Sequence, residues 1–166
     1  MPLEIERKFL VRELDVARLA EAAAEQREIE QIYLSSSDQR SARVRRSSWP
    51  DGRIEYTHTT KRRLSSRSRE EVERVVDAGE YARLVRNRDP SRTTIRKRRY
   101  AVPLAAGLVC EIDVFAGELA GLVLAEVELP AEDARFELPR WLKIEREVTD
   151  EPAYANASLA RSPAPG

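Results

Sequence analysis

The chain has 166 residues, enough to bury a core without disulfide or metal staples, and its 29 basic and 29 acidic residues cancel. Zero net charge argues against a nucleic-acid binder held by bulk electrostatics, and one cysteine, Cys110, leaves no internal disulfide framework. No apolar run approaches the roughly 18 residues of a membrane span, and no signal peptide precedes Glu4, so one cytoplasmic domain over residues 1–160 is expected, with "RSPAPG" (161–166) as a flexible tail.

The first predicted strand is "PLEIERKFLV", which alternates Ile5, Phe9 and Val11 on one face with Glu4, Glu6 and Lys8 on the other. A short amphipathic helix follows within "ELDVARLAEAAAEQRE", with Asp15 as its N-cap. Strands are then predicted for "EQIYLSSS", "RSARVRRSS", "RIEYTHTTKRR" and "SREEVERVV", the second and third joined by a Pro-Asp-Gly turn in "WPDGRIEY", with "LSSRSRE" as a loop. A second helix, "DAGEYARLVRNR", separates these from "TTIRKRRYAV", "GLVCEIDVFAG" and "GLVLAEVEL". Short helical pieces are expected around 131–135 and 138–142. Many short strands attended by two helices predict an α+β fold, mainly antiparallel β, built as a barrel with the helices outside.

The period-two pattern places charge on one face of strand after strand. Arg43 and Arg45 flank Val44, Glu71 and Glu73 flank Val72, Lys97 and Arg99 flank Arg98, Glu111 and Asp113 flank Ile112, and Glu126 and Glu128 flank Val127. Turned outward, these faces would force the helices onto a charged wall. Turned inward, they let the apolar faces meet the helices and line the lumen with acids and bases. Such a lumen needs its charges paired, hydrated or occupied. The acids, oxygen donors with no Cys or His cluster, suit a hard cation such as Mg²⁺ or Mn²⁺, and the arginines suit phosphate oxygens. Charge is also segregated along the chain: bases outnumber acids 19 to 8 from Arg40 to Arg99, whereas Glu111 to Glu137 holds eight acids against Arg135 alone. His58, the single histidine, is expected on an exposed face, and Cys110 as a buried strand thiol. No phosphate-binding glycine loop or nucleophile elbow is present.

"EIERKFLV" resembles the E-x-E-x-K opening of the CYTH family, the triphosphate tunnel metalloenzymes that include class IV adenylyl cyclases, thiamine triphosphatases and inorganic triphosphatases. The resemblance continues in order through "QIYL", "ARVRR", "TTK", "SREEVE", "IRKRRY", "CEIDVFAGELAGLVLAEVEL" and "EVTDEPAYANASLA". It implies a closed eight-stranded antiparallel barrel forming a tunnel for triphosphate. It also implies Glu4, Glu6, Asp113, Glu126 and Glu128 as metal ligands, with Glu71 and Glu111 as supporting carboxylates. Lys8, Arg43, Arg45, Lys61, Lys97 and Arg99 match the phosphate clamp, and Lys8 and Lys97 a lysine pair proposed to assist catalysis; if the two approach one another, each charge disfavours the other and a neutral fraction of the Lys8 amine is expected to serve as a base. Glu73, or a second metal, would orient the attacking water. "WLKIEREVT" departs from the usual W-x-G-x-E-V-T, lacking the Gly and running two residues longer, and Thr57 and His58 replace the usual apolar residues before "TTK". The expected activity is metal-dependent hydrolysis of inorganic triphosphate to pyrophosphate and phosphate. Alternatives are a thiamine or nucleoside triphosphatase, an adenylyl cyclase, or a non-catalytic polyphosphate-binding module. The expected partner is a small-molecule triphosphate, with neither nucleic acid nor membrane, and the oligomeric state is left open, a homodimer included.

Overall fold

The computed structural model describes residues 3–35, 40–65 and 68–160, with Leu3 and Glu4 as backbone alone. The predicted tail, the end of "EQIYLSSS" and part of "LSSRSRE" lie outside the described residues. Nine strands form one antiparallel sheet: β1 (Leu3–Glu13), β2 (Glu25–Leu34), β3 (Arg40–Ser48), β4 (Ile54–Arg63), β5 (Ser68–Val76), β6 (Ile95–Pro103), β7 (Val109–Phe115), β8 (Val123–Glu128) and β9 (Lys143–Glu147). Their order is β5-β4-β3-β2-β6-β7-β8-β1-β9, and pairing of β1 with β5 closes the first eight into a barrel. β1 does this by splitting one edge: Leu3–Ile5 pair with β5 and Phe9–Glu13 with β9, while Glu6–Leu10 pair with β8 on the other edge. The seam is short: among the described residues only Ser68–Glu70 of β5 pair with β1.

The apolar faces do meet the helices. Helix α1 (Val16–Ala22) is N-capped by Asp15, which accepts from the Arg18 N–H at 3.1 Å, and buries Leu19 against Tyr100, Val102, Cys110 and Ile112 on the outside of the barrel. Helix α2 (Ala78–Val85) is capped by Asp77 and lays Tyr81, Leu84 and Val85 over Ile32, Leu34 and Val44. The Pro-Asp-Gly turn forms as expected: Gly52 takes φ +92, and the Trp49 N–H donates to the Arg53 carbonyl at 2.9 Å.

Two local expectations are corrected, and one strand is added. "EQRE" is not the end of the first helix but the start of β2, because Glu25–Arg27 pair in register with Ala101–Arg99 of β6, and sheet pairing outweighs helix propensity there. The stretch 131–142 holds turns rather than helices. Phe136, Leu138 and Trp141 are drawn separately onto the outer core, where Phe136 meets Phe9 edge-on at 6.1 Å. "KIERE" is a strand, β9, on the edge of β1. Beyond it a 3-10 turn (Pro152–Tyr154) and helix α3 (Asn156–Leu159) pack Val148, Tyr154, Leu159 and Ala160 on Tyr33, Ile95, Phe115 and Leu124, the apolar end of the inner face. No helix among the described residues is long and apolar enough to cross a membrane.

Candidate functional site

In an antiparallel pair, residues directly opposite one another share a face. The register therefore carries the inner face round the barrel. Glu6 stands opposite Glu128, and Lys8 opposite Glu126, which in turn faces Glu111 on β7. Asp113 faces Arg99, and Arg99 faces Arg27. Arg45 lies between Gln31 and Thr57, Arg43 between Tyr33 and Thr59, with Thr59 opposite Glu73 and Lys61 opposite Glu71. The predicted charged residues whose side chains are described thus share one face. Glu4 stands on that face at the register position opposite Arg69.

The face encloses two adjoining cavities. One, of about 170 Å³, is lined by Glu6, Glu71, Glu73, Glu111, Glu126 and Glu128 together with Arg27, Arg43, Arg45, Lys61, Arg99 and Asn156. The other, of about 400 Å³, shares Glu6, Arg43, Lys61, Glu126 and Asn156 with it and extends toward the C-terminal segment.

Within the lumen most acids are turned to bases. Asp113 accepts from Arg99 Nε at 2.7 Å and Arg99 Nη2 at 2.9 Å, and lies 2.7 Å from Lys97 Nζ. Burial opposes the charge on Asp113, but Arg99 and Lys97 outweigh it and hold the carboxyl well below its ordinary range. Glu126 lies 3.4 Å from Lys8 Nζ; burial opposes its charge too, but Lys8 outweighs that and its pKa falls to about 2. Glu71 lies 3.7 Å from Lys61, and Glu6 3.9 Å from Arg69.

Two cations stand apart. Arg43 and Arg45 are each 7% exposed, and neither pairs with a carboxylate among the described residues. Arg45 instead donates from Nε and Nη2 to Gln31 Oε1 at 3.0 and 2.7 Å, and Arg43 Nε is buried with no hydrogen-bond partner. Burial, with the neighbouring guanidiniums of Arg43, Arg99 and Arg27, pulls the pKa of Arg45 down to about 9. A cationic charge held at that cost next to an orphaned donor is matched by an anion.

The two lysines behave differently. Burial works against the charge of Lys8, but Glu126 and Glu6 outweigh it and raise its pKa, so Lys8 stays an ammonium. Burial pulls Lys97 down to about 7 although Asp113 resists, with Arg99 and Arg45 adding to the fall. The charges acting most strongly on each come from acids and guanidiniums, not from the other lysine. Both reach the C-terminal segment: Lys8 Nζ donates to the Tyr154 carbonyl at 3.1 Å and Lys97 Nζ to Asn156 Oδ1 at 3.5 Å.

Several lining residues escaped the sequence reading. Arg27 was hidden by its assignment to a helix, whereas Arg69 shares parity with Glu71 and Glu73 and was readable. Gln31 and Tyr33 alternate with Ile32 and Leu34 and were readable in the same way. Asn156 and Arg92 lie outside the barrel strands and carry no periodic signal. His58 faces outward opposite Val44 and Arg74, and Cys110 is buried on the outer face with its thiol pushed up to about 12 by that burial.

The carboxylates of the smaller cavity offer only oxygen donors, which fits a hard divalent cation in kind. Among the described residues no three acids stand together as ligands of one ion, and both oxygens of Asp113 are engaged by Arg99 and Lys97.

Comparison with known proteins gives a consistent picture. The CYTH domain matches residues 2–162. An inorganic triphosphatase of Nitrosomonas europaea is 35% identical over 162 residues, covering 96% of this chain and 97% of that protein. An inorganic triphosphatase of Acetivibrio thermocellus is 48% identical over 69 residues, 42% of each chain. Among solved structures, that of the inorganic triphosphatase NE1496 superposes with a TM-score of 0.61 at 34% identity, covering 100% of this chain and 99% of the other. The PH1819 protein of Pyrococcus horikoshii, at 19% identity and a TM-score of 0.62 over 77% of this chain and 78% of its own, shares the fold.

Proposed function

Because the chain belongs to the CYTH domain family, we propose that it is a divalent-metal-dependent inorganic triphosphatase, hydrolysing tripolyphosphate to pyrophosphate and phosphate. The observation that carries this reading is the pair of buried guanidiniums, Arg43 and Arg45, without carboxylate partners, set in a lumen whose other wall is carboxylate. A polyanion satisfies the first group, and a cation bound beside it satisfies the second. A non-catalytic polyanion binder would gain nothing from the acids.

Arg43, Arg45, Lys61 and Arg99 are assigned to the phosphate oxygens, together with Lys8. The ammonium of Lys8, kept charged by Glu126 and Glu6, acts as a clamp rather than as a base. Glu6, Glu126 and Glu128, with Glu4 on the same face, are the residues proposed to hold Mg²⁺ or Mn²⁺, their side chains having to draw together to do so, supported by Glu111 and Glu71. Asp113 and Lys97 set the position and charge of Arg99. When bound, the ion neutralises phosphate charge and makes water more acidic. Glu73, held by the Thr59 hydroxyl at 2.9 Å, orients the attacking water. Water adds to a terminal phosphorus, the bridging P–O bond breaks toward the remaining pyrophosphate, and the proton leaves with the products. Positioning and electrostatics suffice for this, without a side-chain nucleophile.

The test is phosphate release from tripolyphosphate, thiamine triphosphate, ATP and pyrophosphate in Mg²⁺ or Mn²⁺. Tripolyphosphate is expected to be preferred, and excess EDTA to abolish turnover while the circular dichroism of the barrel persists. Glu126→Gln is expected to lose most of the activity, because a neutral amide is a poorer ligand for a hard cation and a poorer partner for Lys8. Full activity in EDTA would remove the metal assignment. Preference for ATP or thiamine triphosphate would move the substrate elsewhere.

A further inference from the structure

The larger cavity holds a cationic group that the triphosphate clamp leaves unused. Its wall carries seven basic side chains against three acidic ones, and one of those acids, Glu151, is taken by Arg146 at 2.8 Å. In the smaller cavity acids outnumber bases six to five. The two cavities therefore differ in charge, the cationic excess lying in the larger one beside the C-terminal segment.

Arg92 stands in the wall of the larger cavity, in the loop before β6, with its side chain 11% exposed. Its Nε lies 3.3 Å from Asp89 Oδ2 but out of line for a hydrogen bond, and Nε and Nη1 are both buried without a hydrogen-bond partner. Asp89 is occupied by its own loop, accepting from the Ser91 N–H at 2.9 Å and the Ser91 hydroxyl at 2.6 Å. Buried donors left unfilled are costly, and phosphate oxygens are the acceptors whose geometry best matches a guanidinium.

The group is held in advance of any ligand. The Asp89 N–H donates to the Tyr33 carbonyl at 2.9 Å, and Thr93 donates from its N–H and its hydroxyl to the Ala160 carbonyl at 2.5 and 2.8 Å, so both ends of the loop are tied to the barrel end. The Arg92 guanidinium lies 5.1 Å from the Tyr33 ring centre, and the Tyr33 hydroxyl accepts from Gln31 at 2.9 Å, the same Gln31 that holds Arg45. Arg43, with its own orphaned Nε, lines both cavities. Arg43 and Arg92 thus both line the larger cavity, and each carries guanidinium donors without a partner on a preorganised frame.

We propose that Arg92 forms a further phosphate subsite, which takes the unit after the third in a linear polyphosphate, so that the protein accepts tetrapolyphosphate and longer chains more tightly than tripolyphosphate. This rests on the reading of the lumen as a triphosphate site. The experiment is calorimetric titration of the metal-free protein with tripolyphosphate and tetrapolyphosphate, alongside phosphate release from each with Mg²⁺. Wild type is expected to bind tetrapolyphosphate more tightly. Arg92→Gln should weaken tetrapolyphosphate by about tenfold or more and tripolyphosphate by less than about twofold, with Arg92→Lys recovering part of the difference. Equal affinity of wild type for the two chains overturns the subsite whether or not the variants fold, as does an equal loss of both ligands in a folded Arg92→Gln. Wild type that binds neither chain removes the triphosphate reading itself, and the subsite with it.

Discussion

Arg45→Ala is expected to weaken tripolyphosphate binding by roughly 2 to 5 kcal/mol, about 30-fold to several thousand-fold, because it deletes a buried charge whose protein partner is a neutral amide. The other cations assigned to the clamp by sequence, Lys8, Lys61, Lys97 and Arg99, each have a carboxylate beside them, so an anion must compete with that acid. Arg45 presents no such competition. Its charge is also opposed by burial and by Arg43, Arg99 and Arg27, so an Arg45→Met variant, which keeps much of the volume, should hold or raise the unfolding midpoint while losing the ligand. Arg62 is the control. It lies on the outer face, its side chain 43% exposed and 3.3 Å from Glu70, and Arg62→Ala should change affinity by less than about 0.5 kcal/mol. Comparable losses from Arg45→Ala and Arg62→Ala, read by calorimetry, would contradict the assignment of faces.

Asp113→Asn is expected to cost about 3 to 5 kcal/mol of stability, a large share of the roughly 5 to 15 kcal/mol by which a domain is folded. The carboxylate takes two hydrogen bonds from Arg99 and one close contact from Lys97, all buried. An amide of the same shape removes the counter-charge the two share, leaving Arg99 with Glu111 alone at 3.4 Å and pushing Lys97, already down to about 7, further toward the neutral amine. The same pairing sets the acid limit of the fold. Asp113 and Glu126 have folded pKa values depressed below their ordinary 3.8 and 4.5, so the unfolded chain binds protons first as pH falls. Their contribution is complete above about pH 4.5 and is lost progressively as pH falls toward about 2, through the folded pKa of Glu126. Denaturant titrations of the metal-free protein at neutral pH and at steps below pH 5 test both points. Asp113→Asn should be weaker at neutral pH and lose less stability on acidification than wild type. A variant as stable as wild type with the same acid profile would show that the triad carries no net stabilisation.

The inward set of charges was legible in the chain because a strand alternates its faces every residue, a local property that needs no partner. Glu6 and Lys8 on β1, Arg43 and Arg45 on β3, Lys97 and Arg99 on β6, and Glu126 and Glu128 on β8 all follow from that alternation, as do the apolar residues that face α1 and α2. The Asp15 cap and the Pro-Asp-Gly turn are equally local. What alternation cannot convey is which charge meets which across the lumen. Arg43 and Arg45 share parity with Lys97 and Arg99, yet only the latter two find a carboxylate, because strand order sets β7 beside β6 and places Gln31 of β2 beside Arg45. The same dependence on partners made "EQRE" a strand, turned "KIERE" into an added edge, and brought Tyr154 and Asn156 onto Lys8 and Lys97 from more than 50 residues away in the chain. Arg92 lies in a loop with no period at all, and its unfilled donors exist only once Tyr33 and Ala160 hold that loop in place. The sequence alone decided which faces are charged, through local geometry; the tertiary structure decided which of those charges remain unpaired for a ligand, because pairing depends on register between strands distant in the chain.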